Sequence, residues 1–432
     1  MLGYYFHLAL RSFRRNKVLT ALMVLAIALG IGASMTTLTV FHVLSGDPIP
    51  GKSGRLFHVQ LDPQPLQGHQ PGEEPTELLT RFDAQELLRE RHALRQTQTN
   101  GGVVTVEPDD SAVKPFRIAS RNVTADFFPM FETPFVHGRG WSADDDEARA
   151  RVVVIGKKLN DQLFGGADSS GRTLRIDGYD FRVVGVLADW KPTPKFFDFS
   201  GGRFASNEQV YEPFSVAREL GQSHNGSVNC YKVASDQMAL NAPCTWIHYW
   251  VELESAAQAA DFKAYLDNYS ARQRDAGRFE RPPNTRLRDV MQWLDHKRVV
   301  PGDVRLQLWF SLGLLLVCLV NTVGLLLAKF LRRSGEIGVR RALGASRGAI
   351  FRQCLVEAGT IGLAGGALGL GLAALGLWAI RNRPAEYAHL ARLDGSMLVL
   401  TFVLALAASL LAGLLPAWRA MRVAPALQLK SQ

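Results

Sequence analysis

Apolar residues are gathered into long uncharged runs towards the two ends of this 432-residue chain, whereas a polar stretch occupies its middle. Four runs carry no formal charge: 18–44, 308–328, 358–380 and 396–417. Each reaches the roughly 20 residues that an α-helix needs to cross the hydrocarbon core of a bilayer. We therefore predict four transmembrane helices, at 18–44, 308–328, 354–380 and 396–417. The first is too long for a signal-peptide core, which marks it as a retained anchor.

Residues 45–306, between the first two runs, show a mixed pattern. Short runs rich in β-branched and aromatic residues predict strands at 55–61, 102–107, 116–123, 151–155, 181–186 and 245–253. Helical spacing of apolar positions predicts helices at 77–94 and 256–269, and a stretch rich in Gly, Pro, Phe and Lys predicts a long loop at 189–207. The fold class is therefore a membrane protein of four transmembrane α-helices with a large α+β domain between helices 1 and 2. Residues 287–307 are predicted to return to the membrane as a stalk helix, with Pro301 as a kink or a helix start.

Charged residues are divided unevenly among the segments that flank the runs, which explains the formal net charge of +9. Segments 1–17, 329–353 and 418–432 together carry +13, whereas 45–306 carries −4, the short loop 381–395 carries +1 and Glu357 in the third span carries −1. Because basic residues collect on the cytoplasmic side, we predict cytoplasmic termini, a cytoplasmic 329–353 loop and a periplasmic 45–306 domain in a bacterial inner membrane. The basic charge thus indicates topology and not a nucleic-acid partner. Residues 1–17 fit either a short amphipathic helix at the inner interface or a plain basic flank.

The four cysteines fall in different compartments of this topology. Cys318 lies within the second span and Cys354 at the start of the third, and both are interpreted as inert buried thiols. Cys230 and Cys244 lie in the external segment, where an oxidising space favours a disulfide between them. Their spacing alone does not establish that the two Cα atoms approach closely enough.

Sequence patterns of catalysis, nucleotide binding and metal binding are weak. Residues 46–53, GDPIPGKS, fit a phosphate-loop pattern, but a membrane span precedes them, a predicted strand follows, and Pro48 and Pro50 remove two N–H donors. The external histidines are scattered without metal-ligand spacing. We therefore predict no catalytic residue and no metal site in this chain.

The 329–353 loop carries a short amphipathic pattern with a basic rim. Glu336 and Arg340 are four residues apart with the acid first, the favourable orientation for an ion pair on a helix. Gly344 predicts a helix stop and Ser346 a new N-cap that leads into the third span. Such a helix at the inner membrane face serves either as a docking element for a cytosolic partner or as a positively charged tether without one.

Small residues in the third span predict close helix packing. Gly362 with Gly366, and Gly365 with Gly369, form two GxxxG pairs. Such pairs let neighbouring helices pack closely, which matters in lipid because the hydrophobic effect does not drive helices together there. The alternative is that these glycines only add flexibility. Asn321, the most polar residue deep in the second span, fits either a hydrogen bond to another helix or a contact with a neighbouring backbone.

Several segments resemble one family along nearly the whole chain. Glu336–Ala358, EIGVRRALGASRGAIFRQCLVEA, strongly resembles the coupling region of the MacB/FtsX-type ABC transporter permeases, also called type VII permeases. Residues 127–141 and 151–186 look like parts of the family's periplasmic domain, and 416–425 looks like its C-terminal signature. The order is also the same, with one span before the external domain and three after it.

The resemblance implies a non-catalytic permease subunit that transmits ATP-driven motion to its periplasmic domain, for export of a small molecule, peptide or other envelope substrate. An FtsX-like regulator of an envelope enzyme and a lipoprotein-releasing permease are the alternatives. The implied domain has a porter-like lobe (46–121 and 241–287) and an inserted lobe (122–240), and the inserted lobe argues against the regulator.

The resemblance also implies partners. The chain would pair with a second permease, a copy or a related chain, within membrane lipid, and each half would dock on a separate cytoplasmic ABC ATPase. That ATPase would bind ATP and Mg²⁺, and this chain would bind no cofactor. A periplasmic adaptor and an outer-membrane channel are further partners that the family suggests. The implied ATPase-coupling residues are Glu336, Ile337, Gly338, Arg340, Arg341, Leu343, Gly344 and Ala345.

Overall fold

The chain divides into two units in the computed structural model, which describes residues 3, 13, 16–108, 114–383, 387–392 and 395–422. One unit is Gly46–Val299, called here the α+β unit. The other combines Met1–Ser45 with Val300–Gln432 and is called the helical unit. The predicted interfacial helix at 1–17 falls almost wholly outside the described residues, and so does the end of the 416–425 signature.

Helices occur in both units. In chain order they are α1 (Lys17–Ser45), α2 (Arg81–Glu90), α3 (Phe127–Met130), α4 (Ala143–Glu147), α5 (Lys157–Phe164), α6 (Phe214–Glu219), α7 (Ala256–Asp275), α8 (Val290–His296), α9 (Gly302–Arg332), α10 (Ser334–Ala342), α11 (Arg347–Arg381) and α12 (Gly395–Met421). A 3₁₀ turn, Ala388–Leu390, lies between α11 and α12.

The helical unit contains the four predicted spans. Among the described residues, α1, α9, α11 and α12 are long and apolar enough to cross a membrane, at 29, 31, 35 and 27 residues. Each helix extends past the uncharged run that predicted it, because helical hydrogen bonding continues into the charged flanks. The chain is therefore a four-span membrane protein, as the apolar pattern predicted.

The α+β unit is built on one large sheet. Its strands are β1 (Leu56–Gln60), β2 (Leu79–Thr80), β3 (Arg95–Glu107), β4 (Phe116–Val123), β5 (Phe135–Gly138), β6 (Val152–Gly156), β7 (Thr173–Ile176), β8 (Tyr179–Leu187), β9 (Val210–Pro213), β10 (His224–Asn225), β11 (Asn229–Cys230), β12 (Cys244–Glu252) and β13 (Arg286–Asp289). The main path runs β13-β1-β12-β3-β4-β9-β6-β8-β5. Neighbours on this path are antiparallel, except the parallel pairs β4–β9 and β6–β8. All six predicted strand segments are confirmed.

Two hydrophobic cores lie along this sheet. The first, which we assign to the first lobe, is drawn chiefly from residues 59–87 and 242–279. The second, assigned to the second lobe, is drawn from residues 104–106, 153–186 and 210–216. The long strand β3 therefore takes part in the second core from Val104 onward, upstream of the predicted lobe boundary at 121/122. The boundary moves because β3 and β4 form one continuous hairpin pairing, from Thr99↔Val123 to Val106↔Phe116.

The predicted stalk helix at 287–307 is wrong at 287–289 and at 297–301, and it is helical at 290–296 and from 302 onward. Arg286–Asp289 instead forms β13, which pairs with β1 from Phe57↔Asp289 to Gln60↔Arg286. Asp289 then caps α8 through a capping box with Gln292, so α8 begins only at Val290. The second alternative for Pro301 is confirmed, since it is the N-cap residue of α9. The 287–307 segment therefore comprises the end of β13, the short helix α8 and the start of α9. It is not one continuous helix, because Asp289 begins α8 and Pro301 begins α9 as N-cap residues.

Short elements of the second lobe were missing from the sequence analysis. The hairpin β7–β8 turns over Asp177 and Gly178, which have positive φ angles of 49° and 82°. An Asp-Gly pair is the residue choice that such a two-residue turn requires, and it is the signal that was available. The long loop predicted at 189–207 is confirmed, since residues 188–209 contain no helix or strand.

Glu212 of β9 gives the second lobe a predictable pH dependence. Its side chain is fully buried, and burial raises its pKa to about 7, although a hydrogen bond from Gln222 Nε2 at 2.8 Å opposes the shift. The folded state therefore binds a proton that the unfolded chain releases near its ordinary pKa of 4.5. Stability should be greatest below that pKa and fall as pH rises through about 7, by up to about 3 kcal/mol. Glu212→Gln should flatten this fall.

The measurement is thermal unfolding of the full chain in detergent micelles, followed by near-UV circular dichroism, between about pH 5 and pH 8. Glu219→Gln is the matched control, because Glu219 lies near Glu212 in the sequence but is exposed and pairs with Arg149 at the surface. Equal slopes for Glu212→Gln and the unaltered chain would contradict the assignment.

Candidate functional site

The helix α10 forms a short bridge between two candidate spans, α9 and α11. It ends at Ala342, and Gly344 just beyond it has a φ of +99°, a left-handed conformation that favours glycine. Ser346 then caps α11, because its hydroxyl accepts a hydrogen bond from the Ala349 N–H at 3.2 Å. The predicted helix stop and N-cap are both confirmed. The chain therefore reverses sharply, and α10 is held at the ends of two long helices.

The polar side chains of α10 contact one another, the adjacent Arg333 and the helix α11. Glu336 pairs with Arg340 at 3.0 Å, in the i,i+4 geometry that the sequence predicted, and with Arg333 at 3.3 Å. Arg340 also donates to Gln353 Oε1 at 3.1 Å, which links α10 to α11. These ion pairs are partly exposed, so each contributes well under about 1 kcal/mol to stability. Their role is to fix the rotation of α10 against α11.

Beneath α10 lies a buried ion-pair cluster that the sequence analysis did not identify. Glu357 of α11 is 3% exposed, and it pairs with Lys329 Nζ of α9 at 2.6 Å and with Arg333 at 3.3 Å. Lys329 is itself buried and lies 3.5 Å from the Thr20 hydroxyl of α1 and 5.3 Å from the Phe13 ring. We call Lys329, Arg333 and Glu357 the buried charge cluster. It joins α1, α9 and α11 at one point.

A sequence signal for this cluster was available. Glu357 is the only acidic residue within the predicted third span, and Lys329 immediately follows the second uncharged run. A charged residue inside a membrane segment is costly unless it is paired, so two such residues of opposite sign are expected to meet. The pairing itself depends on how the helices pack, which the linear sequence does not state.

The predicted coupling residues separate into an inner and an outer set. Ile337 and Ala345 pack on the core of the helical unit, and Gly338 is buried. Arg341 donates to the backbone oxygen of Met421 at 3.4 Å. Leu343 is 83% exposed, Gly344 beside it is also exposed, and Val339, one turn earlier, is 53% exposed. The outer set thus presents an apolar pair, Val339 and Leu343, which we call the α10 tip.

The glycines of α11 lie on two different packing faces. A Cβ atom on Gly365 would come within 2.6 Å of the Ile27 side chain of α1, and one on Gly369 within 3.0 Å of Ile31. A Cβ on Gly366 would lie 2.7 Å from Ala405 Cβ of α12, and one on Gly362 would meet Ser409. One GxxxG pair therefore admits α1 and the other admits α12, so α11 lies between two closely packed helices.

Asn321 faces away from the rest of the described chain, so its hydrogen bond to another helix stays a prediction. It is exposed on α9, among the residues that the structure describes, and does not face another helix of this chain. Its surroundings on α9 are Val317 and Val320, both more than half exposed, and Gly324, around which the structure has open space. The helical spacing places these residues on one outward face, because buried Cys318 and Thr322 occupy the opposite side of α9.

In the α+β unit, Cys230 and Cys244 are joined by a disulfide, with Cα atoms 4.0 Å apart. The two strands that carry them, β11 and β12, pair in register at these residues. Cys318 and Cys354 are buried free thiols. Among the described residues, no group of three or more His, Cys, Asp or Glu side chains is arranged to hold a metal ion.

Lys52 of the phosphate-loop-like motif has a structural role. Its Nζ donates to the backbone oxygens of Pro129 and Met130 at 2.9 Å and pairs with the buried carboxylate of Glu252 at 3.1 Å. Strand β1 follows the motif, where a phosphate loop would open a helix. The lysine is therefore committed to contacts inside the α+β unit.

Two known families match this chain. Residues 20–269 match the MacB-like periplasmic core domain, and residues 308–425 match the FtsX-like permease C-terminal domain. Both matched domains are permease domains, and together they cover α10, most of each candidate span and the α+β unit up to residue 269.

Curated relatives are longer than this chain. The macrolide export ATP-binding/permease protein MacB of Azoarcus sp. (strain BH72) is 24% identical over 98% of this chain and 59% of its own length. The pyoverdine export ATP-binding/permease protein PvdT of Pseudomonas aeruginosa is 25% identical over 96% of this chain and 57% of its own length. This chain thus spans less than two thirds of these relatives.

Among solved structures, the periplasmic region of MacB from Actinobacillus actinomycetemcomitans matches 60% of this chain and 98% of its own, with 14% identity and a TM-score of 0.37. The extracellular domain of the noncanonic ABC-type transporter YknZ from Gram-positive bacteria matches 54% of this chain and all of its own, with 14% identity and a TM-score of 0.35.

The buried charge cluster should dominate the stability of the helical unit. Glu357→Gln removes the carboxylate charge and leaves Lys329 buried without a full counter-charge, so it should lower the free energy of unfolding by about 3–5 kcal/mol. Replacing both residues, Lys329→Met with Glu357→Leu, should recover most of that loss, because Arg333 keeps its contact with Glu336. Thermal unfolding of the full chain in detergent micelles measures both effects.

Glu336→Gln is the matched control, since Glu336 pairs with Arg333 but is partly exposed, and its loss should cost less than about 1 kcal/mol. If the double replacement were as destabilising as Glu357→Gln alone, the charge balance would not be what stabilises this point.

Proposed function

This chain belongs to the MacB-like periplasmic core domain family, whose match covers more than half of its residues, and we propose on that basis that it is the permease subunit of a MacB-like ABC transporter. In this proposal an ATPase docks on α10, and ATP-driven movement of the ATPase is transmitted through the helical unit to the α+β unit. The observation that carries it is the α10 tip, an exposed apolar pair mounted on a rigid, ion-paired support.

The support makes α10 suitable for transmitting force. A push on the α10 tip meets the Glu336, Arg340 and Gln353 contacts and then the buried charge cluster, so α9 and α11 should move together with α10. Within the helical unit, α1 and α9 are also the helices whose outer ends continue into the α+β unit, at Ser45–Gly46 and near Pro301. Motion of these two helices therefore reaches both ends of the α+β unit along the covalent chain.

The remaining parts of the proposal follow from the family and the charge distribution. We propose that ATP and Mg²⁺ bind to an ATPase on a separate polypeptide, and that this chain binds no cofactor for the coupling role. The termini and α10 are on the cytoplasmic side of a bacterial inner membrane, in line with the positive flanks. Export of a small molecule is favoured because the relatives are named for macrolide and pyoverdine export. A periplasmic adaptor and an outer-membrane channel would complete the export path.

The second lobe favours export over regulation of an envelope enzyme. It has its own hydrophobic core, drawn from residues 104–106, 153–186 and 210–216, and is a substantial part of the α+β unit. The resemblance implies that members of the regulator branch usually have a smaller external domain.

Release of lipoproteins differs from export in the substrate that the complex holds. Native mass spectrometry of the purified complex would separate the two, because bound lipoprotein would indicate lipoprotein release.

Leu343→Asp tests ATPase docking directly. The substitution places a charge on the α10 tip without touching an internal contact, so it should reduce co-purification of the ATPase at least tenfold while the permease still inserts and folds. The measurement is quantitative mass spectrometry of the affinity-purified permease from its native host, with the ATPase identified by its nucleotide-binding peptides. Leu343→Ala should have a smaller effect, because it removes area and adds no charge.

Val233→Asp is the control, because Val233 is fully exposed but lies in the α+β unit. Undiminished recovery of the same ATPase with Leu343→Asp would overturn docking at the α10 tip. Glu336→Arg and Arg341→Glu answer a different question, because both side chains hold α10 in place. Those changes should loosen α10 itself. They therefore test how α10 transmits motion and not whether its tip contacts the ATPase.

The outward face of α9 is our proposed contact with the second permease. Gly313, Val317, Asn321 and Gly324 lie along it, and an exposed amide within an apolar helix favours a hydrogen-bonding partner helix. Gly313→Leu with Gly324→Leu should shift the complex from dimer to monomer without lowering the Tm of the helical unit, since both glycines have open space around them. Crosslinking in native membranes measures the dimer.

Gly365→Leu is the contrasting variant, because it should instead destabilise the chain through Ile27. A dimer that persists unchanged after the paired Gly313 and Gly324 replacements would place the contact on another face.

A further inference from the structure

A cavity lies at one edge of the second-lobe sheet. The strands β6 and β8 are parallel and pair from Val152↔Arg182 to Gly156↔Leu187, so their carboxyl ends meet at the same edge. The helix α5 begins directly after β6, and the long loop 188–209 begins directly after β8. Between them is a cavity of about 260 Å³, which we call the second-lobe pocket. Ligands of open α/β sheets commonly bind in this position, outside the carboxyl ends of parallel strands.

The wall of the second-lobe pocket has an excess of positive charge. Lys157, Lys158 and Lys191 line it, together with the acidic residues Asp189 and Glu208. The charge of Glu208 is already balanced, since it pairs with Arg121 at 2.7 Å and Lys195 at 2.8 Å. The pKa of Asp189 is lowered, first by a hydrogen bond from Lys191 and then by the nearby charges, those of Lys158 and Lys157 included.

The lysines are available to a ligand. Lys157 pairs with Asp161 and Lys191 with Asp189, but all four side chains are about half exposed or more, so these pairs are weak and exchangeable. The first turn of α5 adds N–H donors, because its N-cap is Gly156, which offers no side-chain cap. An anion at this point would therefore meet both mobile ammonium groups and fixed backbone donors.

A buried and unpartnered hydroxyl gives an independent indication of a ligand. Tyr211 of β9 lines the pocket with a fully buried side chain, and its hydroxyl has no hydrogen-bond partner within the described part of the chain. Burial raises the pKa of Tyr211 well above its ordinary value, so the hydroxyl stays protonated and can donate. Leaving a buried hydroxyl unsatisfied costs free energy, which a ligand oxygen would recover.

Two acceptors in the wall narrow the ligand class further. Glu208 Oε2 and Gln209 Oε1 are buried and unpartnered within the described residues. Acceptors beside an anion site favour a ligand that also carries hydroxyl groups, since a bare anion would leave both acceptors unsatisfied. The volume is below the roughly 300 Å³ at which pockets for drug-sized molecules begin, so the ligand is small.

We propose that the second-lobe pocket binds a small hydroxylated oxyanion, such as a sugar phosphate or a hydroxy acid. The phosphate or carboxylate lies against the first turn of α5 and the lysines, and the hydroxyl groups face Glu208 and Gln209. This site lies wholly within the α+β unit and does not depend on the ATPase docking proposed above.

The test is isothermal titration calorimetry on the full chain in detergent micelles with four probes: inorganic phosphate, glycerol 3-phosphate, glycerate and glycerol. Glycerol 3-phosphate should bind more tightly than inorganic phosphate, and neutral glycerol should not bind. Binding of glycerate as well assigns the site to oxyanions in general, whereas its absence restricts the site to phosphates. No heat from any anionic probe up to about 10 mM would overturn the proposal.

The affinities of two pocket variants and one control variant test whether the ligand binds in this pocket. Tyr211→Phe should weaken binding of glycerol 3-phosphate by about tenfold, the loss expected for one hydrogen bond to a charged group. Lys158→Gln should weaken it by about threefold, as for one exposed charge contact, and it should leave folding unchanged because Lys158 is exposed. Lys232→Gln, an exposed lysine outside the pocket, should change nothing. Unchanged affinity in both pocket variants would place the binding elsewhere and overturn the proposal.

Discussion

The buried carboxylate of Glu357 is the constraint on which the helical unit depends. An ionised group at this depth is tolerated only when opposite charges reach it, and Lys329 and Arg333 do so at 2.6 and 3.3 Å. Lys329 and Arg333 lie on either side of the end of α9, so the depth and rotation of α9 against α11 are fixed together. The position of α10 follows, because Arg333 also binds Glu336.

Close packing of α11 against α1 and α12 is the second interaction that holds the helical unit together. Gly365 and Gly369 admit α1, while Gly362 and Gly366 admit α12, so α11 is held from two sides along its length. Small residues allow contact but do not determine the axial position of a helix, since a stripe of glycines tolerates sliding. A charge pair with one geometry removes that freedom. The glycines therefore allow close helix packing, and the buried charge cluster fixes the axial position of the packed helices.

The sequence predicted features that depend on local pattern and missed those that depend on contacts between distant residues. Uncharged runs located the four spans, and Glu336 with Arg340 and Gly344 with Ser346 located α10 and its ends, since these signals lie within a few residues. The role of Glu357 was missed because its partner Lys329 is distant in the sequence. The stalk was misjudged because pairing of 286–289 with β1 overrides a helical pattern. The outward direction of Leu343, and hence the α10 tip, required the packed helices.

The same physical principle organises the second lobe, where buried Arg121 holds Asp198 at 2.6 Å and Glu208 at 2.7 Å. Both acidic residues belong to the long loop after β8, so one cation on β4 fixes a loop that has no regular structure of its own. That loop supplies one wall of the second-lobe pocket. Because Arg121 and Lys195 together balance the charge of Glu208, the pocket keeps the positive charge of its exposed lysines. In each unit, then, a buried ion pair positions a surface whose exposed residues remain free to meet another molecule.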